Sequence, residues 1–139
     1  MKIATSFKAV TDAIPTTILV TIVDDDESVR DALKGFMQSV GFAAQSFSSA
    51  EDFLGSDTLD KTSCLIVDVH MPVMTGLELQ CRLSNNQSRI PMIFITARDD
   101  PATRAQALKA GAVDFLQKPF AGDTLLDAIH AALDNKRDT

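Results

Sequence analysis

The chain has 139 residues, 45% hydrophobic and 23% charged, which fits one globular domain with a single core and leaves no room for a second folded domain. A formal net charge of -6 and a pI near 4.7 argue against a nucleic-acid surface, which needs a basic patch, and suit a cation site or a basic partner. No apolar run approaches a membrane span and the N-terminus lacks the apolar stretch of a signal peptide, so the expected residence is cytoplasmic.

In residues 1–16, Ile3, Phe7, Val10 and Ile14 recur at roughly helical spacing before Pro15, so this extension reads either as a short extra helix or as a tail. Ile18 to Val23 is a short run rich in β-branched residues and reads as a buried parallel strand. Val29, Leu33, Phe36, Met37 and Val40 then recur at helical spacing, with Asp25 or Asp26 as N-cap and Gly41 as the stop. A strand from Phe42 to Phe47 follows, and Ser48 and Ser49 precede Glu51 and Asp52 at capping-box spacing, opening a short helix that ends near Gly55 to Leu59. Cys64 to Val67 is the third strand, and the Met71-Pro72 loop leads to a helix from Gly76 to Asn85. Met92 to Ile95 is the fourth strand. Asp99 or Asp100 caps the fourth helix, Pro101 takes its first turn and Gly111 ends it; its core face is read as Ala102, Ala105 and Leu108, a weak anchor. Val113 to Gln117 is the fifth strand, and Leu125, Leu126, Ile129, Ala132 and Leu133 give the last helix one apolar stripe. Right-handed crossovers then put helices on both faces of the sheet. The two cysteines, Cys64 and Cys81, lack metal-ligand spacing and read as reduced core residues.

The charged residues gather where the strands end. Asp24, Asp25 and Asp26 close the first apolar run, Asp68 the third and Lys118 the fifth. In open α/β sheets, ligands bind outside the carboxyl ends of the strands where the strand order reverses, so this pattern reads as a divalent-metal and phosphoryl site. Clustered carboxylates are costly without a cation: two like charges about 4 Å apart repel by roughly 4 kcal/mol at an effective dielectric of 20. The plain alternative for Asp24 to Asp26 is a solvated helix cap, and Asp26 is read as one.

The segments IVDDDESVR, LIVDVHMPVMTGLEL, IFITARDD and GAVDFLQKPF, in this order and spacing, resemble the receiver domain of two-component response regulators over about residues 17 to 135. Their wording looks most like receivers joined to a helix-turn-helix output domain; residues 1–16 would be an N-terminal extension and 136–139 a C-terminal tail. The resemblance implies a flavodoxin-like (βα)5 doubly wound parallel sheet with strand order 2-1-3-4-5. It implies Mg2+, for which Mn2+ could substitute, held by Asp25, Asp68 and the backbone carbonyl of His70, with Asp24 acting mainly through water. Asp68 would be the phosphoacceptor, attacking the phosphohistidine of a histidine kinase or phosphotransfer protein, with Lys118 and the metal neutralising the phosphoryl oxygens.

In such domains the Lys118-Pro119 bond is cis, aiming the ammonium at Asp68. Thr96 and Phe115 form the switch: the hydroxyl moves toward the new phosphoryl group and the aromatic turns inward, shifting the face made by the fourth helix, fifth strand and fifth helix. That face, with Phe115 and Gln117 beside Arg104 and Lys109, would contact a partner or form a phosphorylation-dependent homodimer, without direct nucleic-acid or membrane binding. His70 and Arg98 stand where the family tunes dephosphorylation, and His130 is read as a helix-surface residue. The domain is thus a signalling module, with self-catalysed phosphoryl transfer and autodephosphorylation but no enzyme turnover. A haloacid-dehalogenase-like phosphatase would need an aspartate where His70 stands, and no G-x-x-x-x-G-K-[ST] run supports a P-loop nucleotidase. A docking module indifferent to phosphorylation would have no use for the acidic cluster, Thr96 and Lys118 together.

Overall fold

The β-branched runs pair as parallel strands in a computed structural model that describes residues 18–98 and 100–138, with only the backbone course for 135–138. The reading of residues 1–16 and the capping role considered for Asp99 lie outside the described residues. In chain order the elements are β1 (Leu19–Val23), α1 (Glu27–Ser39), β2 (Ala43–Phe47), α2 (Ala50–Leu54), a 3-10 turn (Asp57–Lys61), β3 (Cys64–Asp68), α3 (Gly76–Asn85), β4 (Met92–Thr96), α4 (Pro101–Lys109), β5 (Asp114–Gln117) and α5 (Gly122–Asp138). The five strands lie in the order β2-β1-β3-β4-β5, every neighbouring pair parallel.

Every residue of β3 and β4 is buried, because helices cover both faces of the sheet and no side of a central strand meets water. The sheet divides the core in two. On one face Val20, Ile22, Ile66, Ile93 and Ile95 pack with Leu33 and Met37 of α1 and with Leu125, Ile129 and Ala132 of α5. On the other Val23, Leu65, Val67, Phe94 and Phe115 pack with Phe53 of α2, Leu79 and Leu83 of α3 and Ala107 of α4. Because β2 lies on one side of β1 and β3 on the other, a crevice opens at the carboxyl ends of β1 and β3.

The caps are mostly those the sequence announces. Asp26 accepts the Ser28 amide at the start of α1, Ser49 the Asp52 amide at the start of α2, and Asp100 the Thr103 amide at the start of α4. Thr75 and Glu78 add a reciprocal capping box that fixes the start of α3 just beyond the Met71-Pro72 loop.

Three details correct the sequence reading. The core face of α4 is not Ala102, Ala105 and Leu108: the first two are exposed, Leu108 is 41% exposed, and Ala107 is the buried residue. The buried Gln80 side chain of α3 donates to the Ala107 carbonyl at 3.0 Å, a tertiary bond that sets the helix's rotation where its alanine-rich sequence presents no single stripe. Cys64 is buried as expected, but Cys81 is exposed on the outer side of α3, where the Asn85 side chain is 3.8 Å from its sulfur. The last helix runs to Asp138, past the boundary at residue 135.

Gly76 sits where a side chain cannot. A Cβ there would lie 2.7 Å from the Asp68 carbonyl oxygen and 2.9 Å from the Phe94 ring. Gly76→Ala should therefore destabilise the fold by about 1–3 kcal/mol, the usual cost of overpacking. On the exposed side of α1, Gly35→Ala meets nothing within 4 Å and should stabilise by roughly 0.5–1 kcal/mol through helix propensity. Urea unfolding of both variants checks the two signs, and a neutral Gly76→Ala would contradict the close approach.

Candidate metal and phosphoryl site

At the end of β1 the chain turns sharply into α1, and hydrogen bonds hold the turn. The Asp24 amide donates to the Phe47 carbonyl at 3.1 Å, and the Asp26 amide donates back to Asp24 Oδ1 at 2.9 Å. Arg30, one turn into α1, reaches back and donates from Nη1 to the Asp24 carbonyl at 2.8 Å. At the end of β3, the His70 amide donates to Asp68 Oδ1 at 3.1 Å. These anchors bring one carboxylate oxygen each of Asp24, Asp25 and Asp68 within 4.8 Å of one another. Asp24 is fully buried, Asp68 is 7% exposed, and Asp25 faces solvent.

Lys118 follows β5 and is joined to Pro119 by the expected cis bond. Its amide donates to the Thr96 carbonyl at 2.7 Å, tying it to the end of β4. Its ammonium, expected to face Asp68, lies 3.4 Å from Asp24 Oδ2 and near enough to Asp68 for its charge to act on that carboxyl. The fully buried carboxylate has the greatest need of a counter-charge, so it holds the cation. Both Asp24 oxygens are thereby engaged by protein groups.

Burial raises the Asp68 carboxyl above its ordinary value of 3.8, and the Asp24 charge raises it further. The His70 amide and Lys118 oppose that rise, and Asp25 adds to it. Asp26 is held below the ordinary value by its bonds from Ser28, hydroxyl and amide, and so stays an ionised cap. Hard oxygen donors converging on one point, two of them buried and too few cations to balance them, fit a divalent ion of the magnesium class, and the exposed Asp25 side leaves room for water.

Thr96 is fully buried at the end of β4; its Oγ1 donates to the Arg98 carbonyl at 3.1 Å and accepts the Arg98 amide at 3.2 Å. Phe115 is not part of an exposed face. It is 2% exposed, with the Phe94 ring 6.3 Å away and the Arg104 guanidinium 5.1 Å over its own ring. Phenylalanine has no hydroxyl to hold it at the surface, so the ring is already turned in while Thr96 is bonded to its own loop. The outer surface of α4 instead presents Ala102, Ala105 and Leu108 beside Lys109. Arg98 and His130 are exposed, the latter on α5 as read. Sequence reasoning missed the Arg30 contact, because an arginine six residues beyond an aspartate in a helix carries no signature of its own.

Comparisons with known proteins identify the family. Residues 20–130 match the response regulator receiver domain family, and the chain belongs to it. It is 45% identical over 114 residues to the transcriptional regulatory protein TdiR of Thauera aromatica, covering 82% of this chain and 50% of TdiR. It is 44% identical over 115 residues to the response regulator protein TodT of Pseudomonas putida, covering 83% of this chain and 51% of TodT. The chain spans about half the length of the curated relatives it matches. Among solved structures, the response regulator StyR is 41% identical with a TM-score of 0.81, over 88% of this chain and 62% of that one. FixJ-N is 38% identical with a TM-score of 0.78, over 86% of this chain and 96% of that one.

The raised Asp68 carboxyl has a sign that can be measured. Its folded pKa lies above its unfolded value, so the protonated form favours the fold: that stabilisation is full below about 3.8 and is lost as pH rises through the raised value. Metal-free Asp68→Asn should therefore be more stable than the parent at neutral pH, with the difference shrinking as pH falls. Mg2+ at about 100 times its Kd should stabilise the parent by about 2.7 kcal/mol and the variant less. Thermal unfolding against pH and Mg2+ tests this, and a variant less stable than the parent without metal would contradict the charge-crowding account.

Proposed function

We propose that this receiver accepts a phosphoryl group on Asp68 from the phosphohistidine of a histidine kinase or phosphotransfer protein, and that the modified domain changes its α4-β5-α5 face for a partner. The observation that carries this reading is the convergence of Asp24, Asp25 and Asp68 at the sheet's switch point, beside Lys118 and the end of β4. Asp25, Asp68 and the His70 carbonyl would hold Mg2+, or Mn2+ in its place, with Asp24 behind them. The bound ion would supply positive charge to the phosphoryl oxygens during in-line transfer.

An Asp68 carboxylate oxygen forms the new bond to phosphorus as the bond to the donor's imidazole nitrogen breaks with its electron pair going to that nitrogen; the proton carried on the donor's other ring nitrogen leaves a neutral histidine beside the new acyl phosphate. The His70 amide, already on Oδ1, orients the carboxylate so that its other oxygen can attack. Lys118 supplies a second positive charge by turning from Asp24 toward the transferred group. Thr96 exchanges its bond to the Arg98 carbonyl for one to a phosphoryl oxygen, drawing in the loop that leads to α4. Water later hydrolyses the acyl phosphate, so the domain acts as a timed switch and not as a turnover enzyme. A kinase partner places it in the cytoplasm; among the described residues no helix is long and apolar enough to cross a membrane. Relatives named as transcriptional regulators suggest a transcriptional output.

Incubation with Mg2+ and acetyl phosphate should add one labile phosphoryl mass on Asp68. The modification should be absent from Asp68→Asn and slowed roughly 10²-fold in Lys118→Ala, the usual loss when one preorganised donor is removed. Modification that persists in Asp68→Asn, or proceeds without metal, would overturn the assignment.

The readout is a separate expectation. A phosphoryl mimic with Mg2+ should tighten self-association or partner binding through α4, each tenfold being about 1.4 kcal/mol, and Thr96→Ala should reduce the gain. Sedimentation that is identical in both states, with partner affinity also unchanged, would leave the chemistry standing and exclude this readout.

A further inference from the structure

We infer that Arg30 is a positioning residue for the acidic site: it sets the peptide that carries Asp24 and Asp25 and thereby the affinity for the divalent ion. The inference rests on the metal-dependent phosphoacceptor reading and adds a residue outside the carboxylate, threonine and lysine set.

The ladder of β1 ends at Val23, the last residue registered with β2 and β3, so the Asp24 carbonyl lies beyond the strand pairing. Arg30 Nη1 donates to that oxygen at 2.8 Å, from a half-buried side chain whose own amide bonds the Asp26 carbonyl at 3.0 Å. The Asp24 carbonyl is coplanar with the Asp25 amide and the Asp25 Cα, because the peptide between them is rigid. Holding the oxygen therefore fixes the plane from which the Asp25 side chain departs. Asp24 has further anchors, the Asp26 amide on Oδ1 and Lys118 on Oδ2. Asp25 is exposed, and one of its carboxylate oxygens joins the cluster with that peptide plane as its nearest backbone support.

Charge and position make opposite demands here, which lets them be separated. If Arg30 acted only as a positive charge, it would oppose a divalent cation, and neutralising it would tighten metal binding. If it acts by holding the Asp24 carbonyl, neutralising it lets the Asp24-Asp25 peptide rotate and loosens metal binding. Groups that orient metal ligands from outside the ligand set change metal affinity by about 10- to 100-fold when removed, and the expected loss here is at the lower end.

The test measures Mg2+ binding by titration calorimetry on the full chain, for the parent, Arg30→Ala and Arg30→Gln, at one ionic strength. The same proteins are assayed for Mg2+ dependence of Asp68 modification by acetyl phosphate. Both variants should bind Mg2+ about tenfold more weakly and need correspondingly more of it for half-maximal modification, with the maximal rate at saturating Mg2+ retained. A general loss of packing would lower the metal-free unfolding midpoint without this split between half-saturation and maximal rate. If Arg30→Ala does not unfold cooperatively, Arg30→Gln alone carries the expectation, being neutral and too short to reach the carbonyl. Equal or tighter Mg2+ binding by the folded variant would overturn the inference. Failure of the parent itself to bind Mg2+ or to be modified on Asp68 would instead overturn the reading on which the inference rests.

Discussion

Mutual repulsion of carboxylates at one end of a parallel sheet is the constraint on which the rest of this structure depends. Asp24, Asp25 and Asp68 approach within 4.8 Å, two of them shielded from water. Nothing in their own chemistry favours that arrangement. It is imposed by the sheet, whose central strands β1, β3 and β4 are buried on both faces and cannot shift register without driving apolar side chains into solvent. The hydrophobic core thus works against an electrostatic penalty, and the penalty is relieved by whatever positive charge enters the crevice. Without metal that role falls to Lys118, held on the most buried carboxylate.

The same balance would make the site responsive to a further charge. A phosphoryl group on Asp68 would add negative charge where negative charge is already crowded, so the neighbouring cation and hydroxyl must redistribute. The groups free to do so lie at the ends of β4 and β5: Thr96, bonded to its own loop, and Lys118, tied to the Thr96 carbonyl through its amide. Beyond them α4 is held by Ala107 in the core, by the Gln80 bond and by Arg104 over the Phe115 ring, while Ala102 and Ala105 stand exposed. A helix held by so few contacts can shift when the loop feeding it is pulled.

Much of this was legible in the sequence, for a physical reason. Residues that close buried strands must lie at the sheet edge, so Asp24, Asp25, Asp68, Thr96 and Lys118 could be assigned to one crevice once the strands were recognised and the strand order taken from the family. At Gly76, where the third helix was expected to open, the structure shows crowding by the Asp68 carbonyl and the Phe94 ring. What could not be read were choices made by tertiary contacts. The rotation of α4 depends on Gln80, which lies 27 residues before the carbonyl it bonds. The usual burial of free cysteine misled for Cys81, because α3 buries Leu79 and Leu83 and turns the sulfur outward. Lys118 rests on Asp24, and Phe115 lies inward under Arg104, neither of which periodicity encodes.

The central claim, that the crowded carboxylates are a divalent-cation site built around Asp68, is tested most directly by crystallography with Mn2+ and anomalous scattering. The account predicts one strong anomalous peak in the crevice, within bonding distance of the Asp25 and Asp68 carboxylates and the His70 carbonyl. An ordered crevice without metal at saturating Mn2+, or a peak only elsewhere, would contradict it.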